Sequence, residues 1–284
     1  MQADQTLLYQ HVEFLTTLRP FRHHLNVASL DRVSDYMKQE FSTYGLQVSE
    51  QPFEVSGLNY RNVIASYNSG KRRRLIVGAH YDVCGDQPGA DDNGSAVAGL
   101  LESARLVAEA QPILDYRIDF VAFSLEEPPY YGTHEMGSYV HANSVKDQKD
   151  DLIGMINFEM IGFFNDDDQP YPDPRLKAAY PQKANFIAVV GKQEYHKFNQ
   201  RVFELMKTNA GIDVQIIDHP MVESLAGMSD QRSYWEFDIP ALMINDTSFL
   251  RNPHYHQMSD DISTLSFEHM KEVVTSAHKS IVGF

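Results

Sequence analysis

Leu75-Ile76-Val77-Gly78-Ala79-His80-Tyr81-Asp82 is the stretch from which the architecture can be read. From 75 to 79 it is almost continuously apolar, as a strand covered on both faces must be, and polarity returns abruptly at His80. Downstream, Val97, Leu100, Leu101, Ala104, Leu106 and Val107 recur at helical spacing over 96–110, and Asp92 or Asn93 is placed to cap that helix. A second apolar run over 116–125 stops at Glu126-Glu127-Pro128-Pro129, where two prolines end any strand. Strand, helix, strand is the unit of a parallel sheet.

The rest of the chain repeats the alternation. Upstream, Leu30, Val33, Met37, Phe41 and Tyr44 mark an amphipathic helix over 28–44 closed by Gly45, followed by β-type runs at 46–53 and 62–67. Further strands are expected at 152–158, 185–190, 214–217 and 241–244, and helices at 194–209, 231–237 and 267–282, with an irregular loop over 165–181. The expected fold is α/β, a three-layer sandwich around a central, mostly parallel mixed sheet, with 1–284 as a single domain. In such sheets ligands gather at the carboxyl ends of the strands.

Composition excludes several functions. A formal net charge of −15 opposes nucleic acid and anionic membranes. The one basic run, Lys71-Arg72-Arg73-Arg74, reads as a solvated turn entering the strand. Nothing over 1–17 resembles the apolar core of a signal peptide and no segment is long enough to span a membrane, so the expectation is a soluble, cytoplasmic protein, or a secreted or periplasmic one if a leader has been cut away. The oligomeric state is left open. With Cys84 alone, an intramolecular disulfide and a cysteine-based zinc site are both ruled out, which leaves histidines and carboxylates as metal donors.

Such donors stand where strands end. His80 and Asp82 follow the run that closes at Ala79, Asp91 precedes the helix over 96–110, Glu126 and Glu127 end the next strand, Glu159 follows Phe158, and His256 lies in Tyr255-His256-Gln257-Met258-Ser259-Asp260. Carboxylates crowded on one rim raise one another's pKa unless a counter-charge is present. Two divalent cations would neutralise Asp91, Glu126, Glu127 and Glu159 together. Histidine with carboxylate suits Zn²⁺, with Co²⁺ or Mn²⁺ as substitutes.

His80-x-Asp82, Ala90-Asp91-Asp92-Asn93-Gly94, the doubled Glu126-Glu127 with Gly132 and Gly137-Ser138, Asn157-Phe158-Glu159-Met160-Ile161-Gly162, and His256 with Asp260 resemble, in order, the co-catalytic zinc aminopeptidases of peptidase family M28. The resemblance implies zinc-exopeptidase architecture and two zinc ions per chain. It implies His80 and Glu159 on one ion, Glu127 and His256 on the other, Asp91 bridging both, and Glu126 as general base to a bridging hydroxide. It also implies that Asp82 orients His80 and that the Asp91-Asp92 peptide is cis. His256 is preferred over His254 because the family's His-x-x-x-Asp spacing falls on His256 and Asp260.

The activity implied is that of an exopeptidase, an aminopeptidase releasing N-terminal residues from peptides. Alternatives are a single-zinc glutaminyl-peptide cyclotransferase, a carboxypeptidase (related carboxypeptidases carry glutamate where Glu159 stands) and a catalytically silent binding protein. Ser229-Asp230-Gln231 resembles a Ser-Asp-His element near the family's pocket, with Gln231 in place of histidine. Tyr130, Met228, Asp230, Arg251 and Tyr255 are candidates to wall a substrate pocket, Arg251 as a holder of a substrate carboxylate.

Overall fold

The computed structural model describes residues 1–208 and 210–284. Eight strands, β1 (Gln47–Val55), β2 (Leu58–Tyr67), β3 (Arg74–His80), β4 (Arg117–Phe123), β5 (Leu152–Glu159), β6 (Phe186–Gly191), β7 (Asp213–Ile217) and β8 (Ala241–Asn245), form one mixed sheet in the order β1-β2-β4-β3-β5-β8-β6-β7. β3 lies parallel to both β4 and β5, and β5 parallel to β8, so these four strands end on the same edge. The β1–β2 hairpin turns through Ser56 and Gly57, both at positive φ, which is the backbone a tight two-residue hairpin requires.

β3 is buried along its length. Leu75, Val77 and Ala79 enter the larger core with the helices Gln5–Thr17, Ala96–Ala110 and Phe267–Ile281, which pack on one another. Ile76 enters a second core on the opposite face, with Phe123, Met155, Ala142 of the helix Gly137–Val145 and Tyr234 of the helix Gln231–Trp235. Gly78 lies on that second face, where a Cβ would press into Phe123 and come within 2.9 Å of Met155. Three layers result, as the alternation of apolar runs implied.

Several elements differ from expectation. The helix Gln5–Thr17, capped by the Asp4 side chain, has no counterpart in the sequence reading; its Leu8, Val12 and Leu15 are buried at helical spacing. The helices Gly137–Val145 and Pro174–Ala179 were likewise not expected, the second within the supposed irregular loop. The helix expected over 194–209 spans His196–Lys207, and its expected last residue, Asn209, lies outside the described residues. Among the described residues no helix is long and apolar enough to cross a membrane.

Candidate metal centre

The parallel register sets the site. Gly78 pairs with Asn157, so two residues on, the last residues of β3 and β5 stand level, with His80 Nε2 3.4 Å from Glu159 Oε2. Past the end of β4 the chain passes through Leu125, held at positive φ, and the backbone N–H groups of Glu126 and Glu127 donate to the two oxygens of Asp82, at 3.1 and 3.0 Å. Asp82 Oδ1 is also 3.4 Å from His80 Nδ1. One buried carboxylate thus fixes an imidazole and the two glutamates. Such outer contacts orient metal donors.

The expected bridging residue is not at the centre. Asp91 points away, its carboxylate accepting from Gly162 N (2.9 Å), Asn252 Nδ2 (2.8 Å) and Ser95 Oγ (3.2 Å). Asp92 takes the place instead. Its Oδ1 lies 3.5 Å from His80 Nε2 and its Oδ2 3.1 Å from His256 Nε2. The turn Ala90–Ser95 directs neighbouring side chains to opposite sides, while Asp260 fixes its entry by accepting the N–H groups of both Asp91 and Asp92. The cis peptide is Asp92-Asn93, not Asp91-Asp92.

His256 comes from the loop after β8, at positive φ, its ring stacked on Tyr255 with centroids 3.7 Å apart. Its Nε2 is also 3.4 Å from Glu127 Oε2. Glu159 accepts from Ser229 Oγ (2.6 Å) and Asn93 Nδ2 (3.2 Å), and Asn157 Nδ2 supports Ser229 at 2.9 Å. Gln231 acts behind this contact, accepting from Asn157 Nδ2 at 3.3 Å and donating to the Ala226 carbonyl. His254, the competitor of His256, is occupied with Ser259 Oγ at 2.9 Å.

The donor set fits a divalent cation. Burial, then the charge of Asp92, pushes the Glu127 carboxyl up to about 8. Burial raises Glu126 well above its usual range, with Glu127 and Glu159 adding to the effect, and burial raises Glu159. Burial disfavours the charged imidazoles, yet Asp92 and Glu127 lift His256 to about 10, and Glu159 and Glu126 hold His80 well above its ordinary value. Crowded like charges thus push these groups toward holding protons, a counter-charge that a cation would supply instead. Glu127 Oε1 and His256 Nε2 are buried without a well-formed hydrogen bond, as metal-donor atoms would be.

Beside Glu159 opens a largely apolar cavity, with Val190, Ile217, Leu225, Met228, Met243 and Tyr255 in its wall. Met228 and Tyr255 thus line a cavity next to the cluster. Arg251 does not line it: the residue is buried, its guanidinium between Phe164 and Phe186 and bonded through Nε and Nη1 to Gln169 Oε1 and the Phe163 and Phe186 carbonyls. Tyr130 packs in the core edge-on to His24, and Asp230 is fully buried, its carboxyl pushed up to about 7 by burial; neither lines the cavity.

Three residues of the centre escaped the sequence reading. Asp92 reads from sequence as a helix cap, because two adjacent aspartates give no local sign of which one faces inward. Arg22 is fully buried and donates to the carbonyls of Leu15, Tyr81, Pro88 and Gly89, clasping the loop between His80 and Asp92; a lone arginine in a polar stretch carries no such signal. Cys84 lies beside Glu127 and His256, a neighbourhood that its sequence context does not signal.

A family model described as Peptidase family M28 matches residues 62–280. The uncharacterized protein YfbL of Escherichia coli is 37% identical, over 96% of this chain and 86% of its own length. Fungal relatives described as leucine aminopeptidases are 26–29% identical, and the chain spans only 54–67% of their length. Among solved structures, LapA aminopeptidase of Legionella pneumophila superposes with a TM-score of 0.78 at 22% identity, covering 99% of this chain and 71% of that one. A glutaminyl cyclase of Bacteroides thetaiotaomicron, bound to N-acetylhistamine, gives 0.75 at 20% identity, covering 100% and 99%. At these identities the two structures speak to the fold alone.

Proposed function

The chain belongs to peptidase family M28 and is a metallopeptidase; we propose that it is an aminopeptidase that removes apolar N-terminal residues from peptides with two zinc ions per chain. The observation that carries this reading is the placement of the two Asp92 oxygens toward two imidazoles, each with its own glutamate alongside. His80 and Glu159 would hold one ion, Glu127 and His256 the other, with Asp92 between them. When bound, the pair would supply an acidified water and an electrophile for the scissile carbonyl.

The chain's own residues do the rest. Glu126, whose Oε2 is 3.8 Å from His80 Nε2, takes a proton from the attacking water and returns it to the leaving amine. Asp82 holds its backbone while keeping His80 turned inward. The apolar cavity beside Glu159 receives the N-terminal side chain and excludes water from around it. The aminopeptidase reading is favoured over a carboxypeptidase because Arg251 is buried and, among the described residues, no lysine or arginine lines this cavity.

The test is to incubate zinc-loaded protein with peptides beginning in leucine or glutamine, free and N-acetylated, and weigh the products. Loss of one N-terminal residue from the free leucine peptide, with the acetylated one untouched, supports the aminopeptidase. An N-terminal lactam with release of ammonia from the glutamine peptide would instead make it a cyclotransferase, and shortening from the other end a carboxypeptidase.

A further inference from the structure

Cys84 is four residues past His80, half-buried, and its Sγ lies with a carboxylate oxygen of Glu127 and an imidazole nitrogen of His256 in a cluster whose members are all within 4.8 Å of one another. Two of these residues also carry unsatisfied atoms: Glu127 Oε1 and His256 Nε2 are buried without a well-formed hydrogen bond. The thiol is held there by the fold. Arg22 binds the Tyr81 carbonyl on one side of it and the Pro88 and Gly89 carbonyls on the other, and its own carbonyl accepts from Val83 N at 3.2 Å. A cysteine on an adaptable surface loop would not be fixed against two metal-type donors in this way.

We propose that the Cys84 thiolate is a donor to the cation held by Glu127 and His256. The inference rests on the two-cation reading above. On binding, the S–H bond breaks as the sulfur–metal bond forms, the proton leaves to solvent, and no oxidation state changes. Two consequences follow from coordination chemistry. A thiolate beside imidazole and carboxylate favours Zn²⁺ or Cd²⁺ over Mg²⁺ or Mn²⁺ at this position. The sulfur would also take a position that a catalytic zinc otherwise leaves open, so a substrate amine must displace it or expand the coordination to reach that ion.

Cobalt substitution tests this without relying on turnover. Protein loaded with Co²⁺ is assayed for cobalt per chain and scanned in the visible and near ultraviolet, alongside Cys84→Ser, whose fold is checked by far-ultraviolet circular dichroism. The expected result is two cobalt ions, visible ligand-field bands, and a near-ultraviolet sulfur-to-cobalt charge-transfer band that Cys84→Ser lacks. In the parent protein zinc should also slow alkylation of Cys84 by iodoacetamide by at least about tenfold, because a metal-bound thiolate is a weaker nucleophile. Bound cobalt with no such band, or a band that survives Cys84→Ser, overturns the assignment of Cys84 and leaves the two-cation reading standing. No bound cobalt overturns both.

Discussion

Asp92 Oδ2 lies 3.1 Å from His256 Nε2 although the two residues are separated by most of the length of the chain, and its other oxygen faces His80. A carboxylate shared between two imidazoles is expensive to bury without cations, because the glutamates beside each imidazole add like charge on both sides. The fold holds the arrangement in place through Asp260, which grips the backbone on the Asp92 side, and Asp82, which grips it on the glutamate side.

Glu126→Gln removes the proton acceptor while preserving shape and the Asp82 contact. Turnover should fall by about 10²- to 10⁴-fold, with zinc content unchanged and KM little altered, the pattern of a group that acts in the transition state. Steady-state kinetics with metal analysis checks it; a variant as fast as the parent removes Glu126 from the reaction.

The metal-free protein should lose stability as pH rises above neutral. Glu127, ordinarily near 4.5, titrates folded at about 8, and His256, ordinarily near 6.5, at about 10. Both hold protons more tightly folded than unfolded, so the stability they contribute is fully present below the ordinary values and is lost as pH climbs through the folded ones. Buried His11, His141 and His278, lowered to about 4, add stability as pH rises to about 6.5, so thermal melts with chelator should fall in Tm from about pH 7 to about pH 9, and added zinc should raise Tm most at the alkaline end. A chelated protein whose Tm rises over that range contradicts the electrostatic account.

Arg22→Met leaves four carbonyls, those of Leu15, Tyr81, Pro88 and Gly89, without their buried donor. The expected cost is about 3 kcal/mol or more in urea unfolding, with weaker zinc retention because the clasped loop joins His80 to Asp92. Unchanged unfolding and unchanged zinc content would show that the clasp is dispensable.

Leu225→Trp narrows the cavity beside Glu159. Preference should move from leucine toward alanine at the peptide N-terminus, with kcat/KM for leucine falling by about tenfold relative to alanine, the scale of lost apolar pocket contacts. Equal losses on both substrates would place the side chain elsewhere.

The sheet was legible because a strand such as β3, buried on both faces, writes a continuous apolar run, and because metal-type residues stop those runs on one edge. His80, Glu126, Glu127 and Glu159 stand out for that reason, and His256 through the His-x-x-x-Asp spacing it shares with Asp260. Asp91 and Asp92 could not be told apart, since the choice depends on which carboxylate the distant donors Gly162, Asn252 and Ser95 capture. Arg251 was misplaced for a similar reason: a charge near a site in sequence gives no warning that aromatic rings and backbone carbonyls will enclose it. Periodicity reports local faces, and long-range hydrogen bonds decide which polar atoms meet.

Zinc counted per chain by mass spectrometry, in the parent and in Asp92→Ala prepared identically, tests the two-cation centre most directly. Two ions in the parent, falling below one in Asp92→Ala, is the predicted result. A parent that holds a single ion, or an Asp92→Ala variant that keeps two, would contradict it.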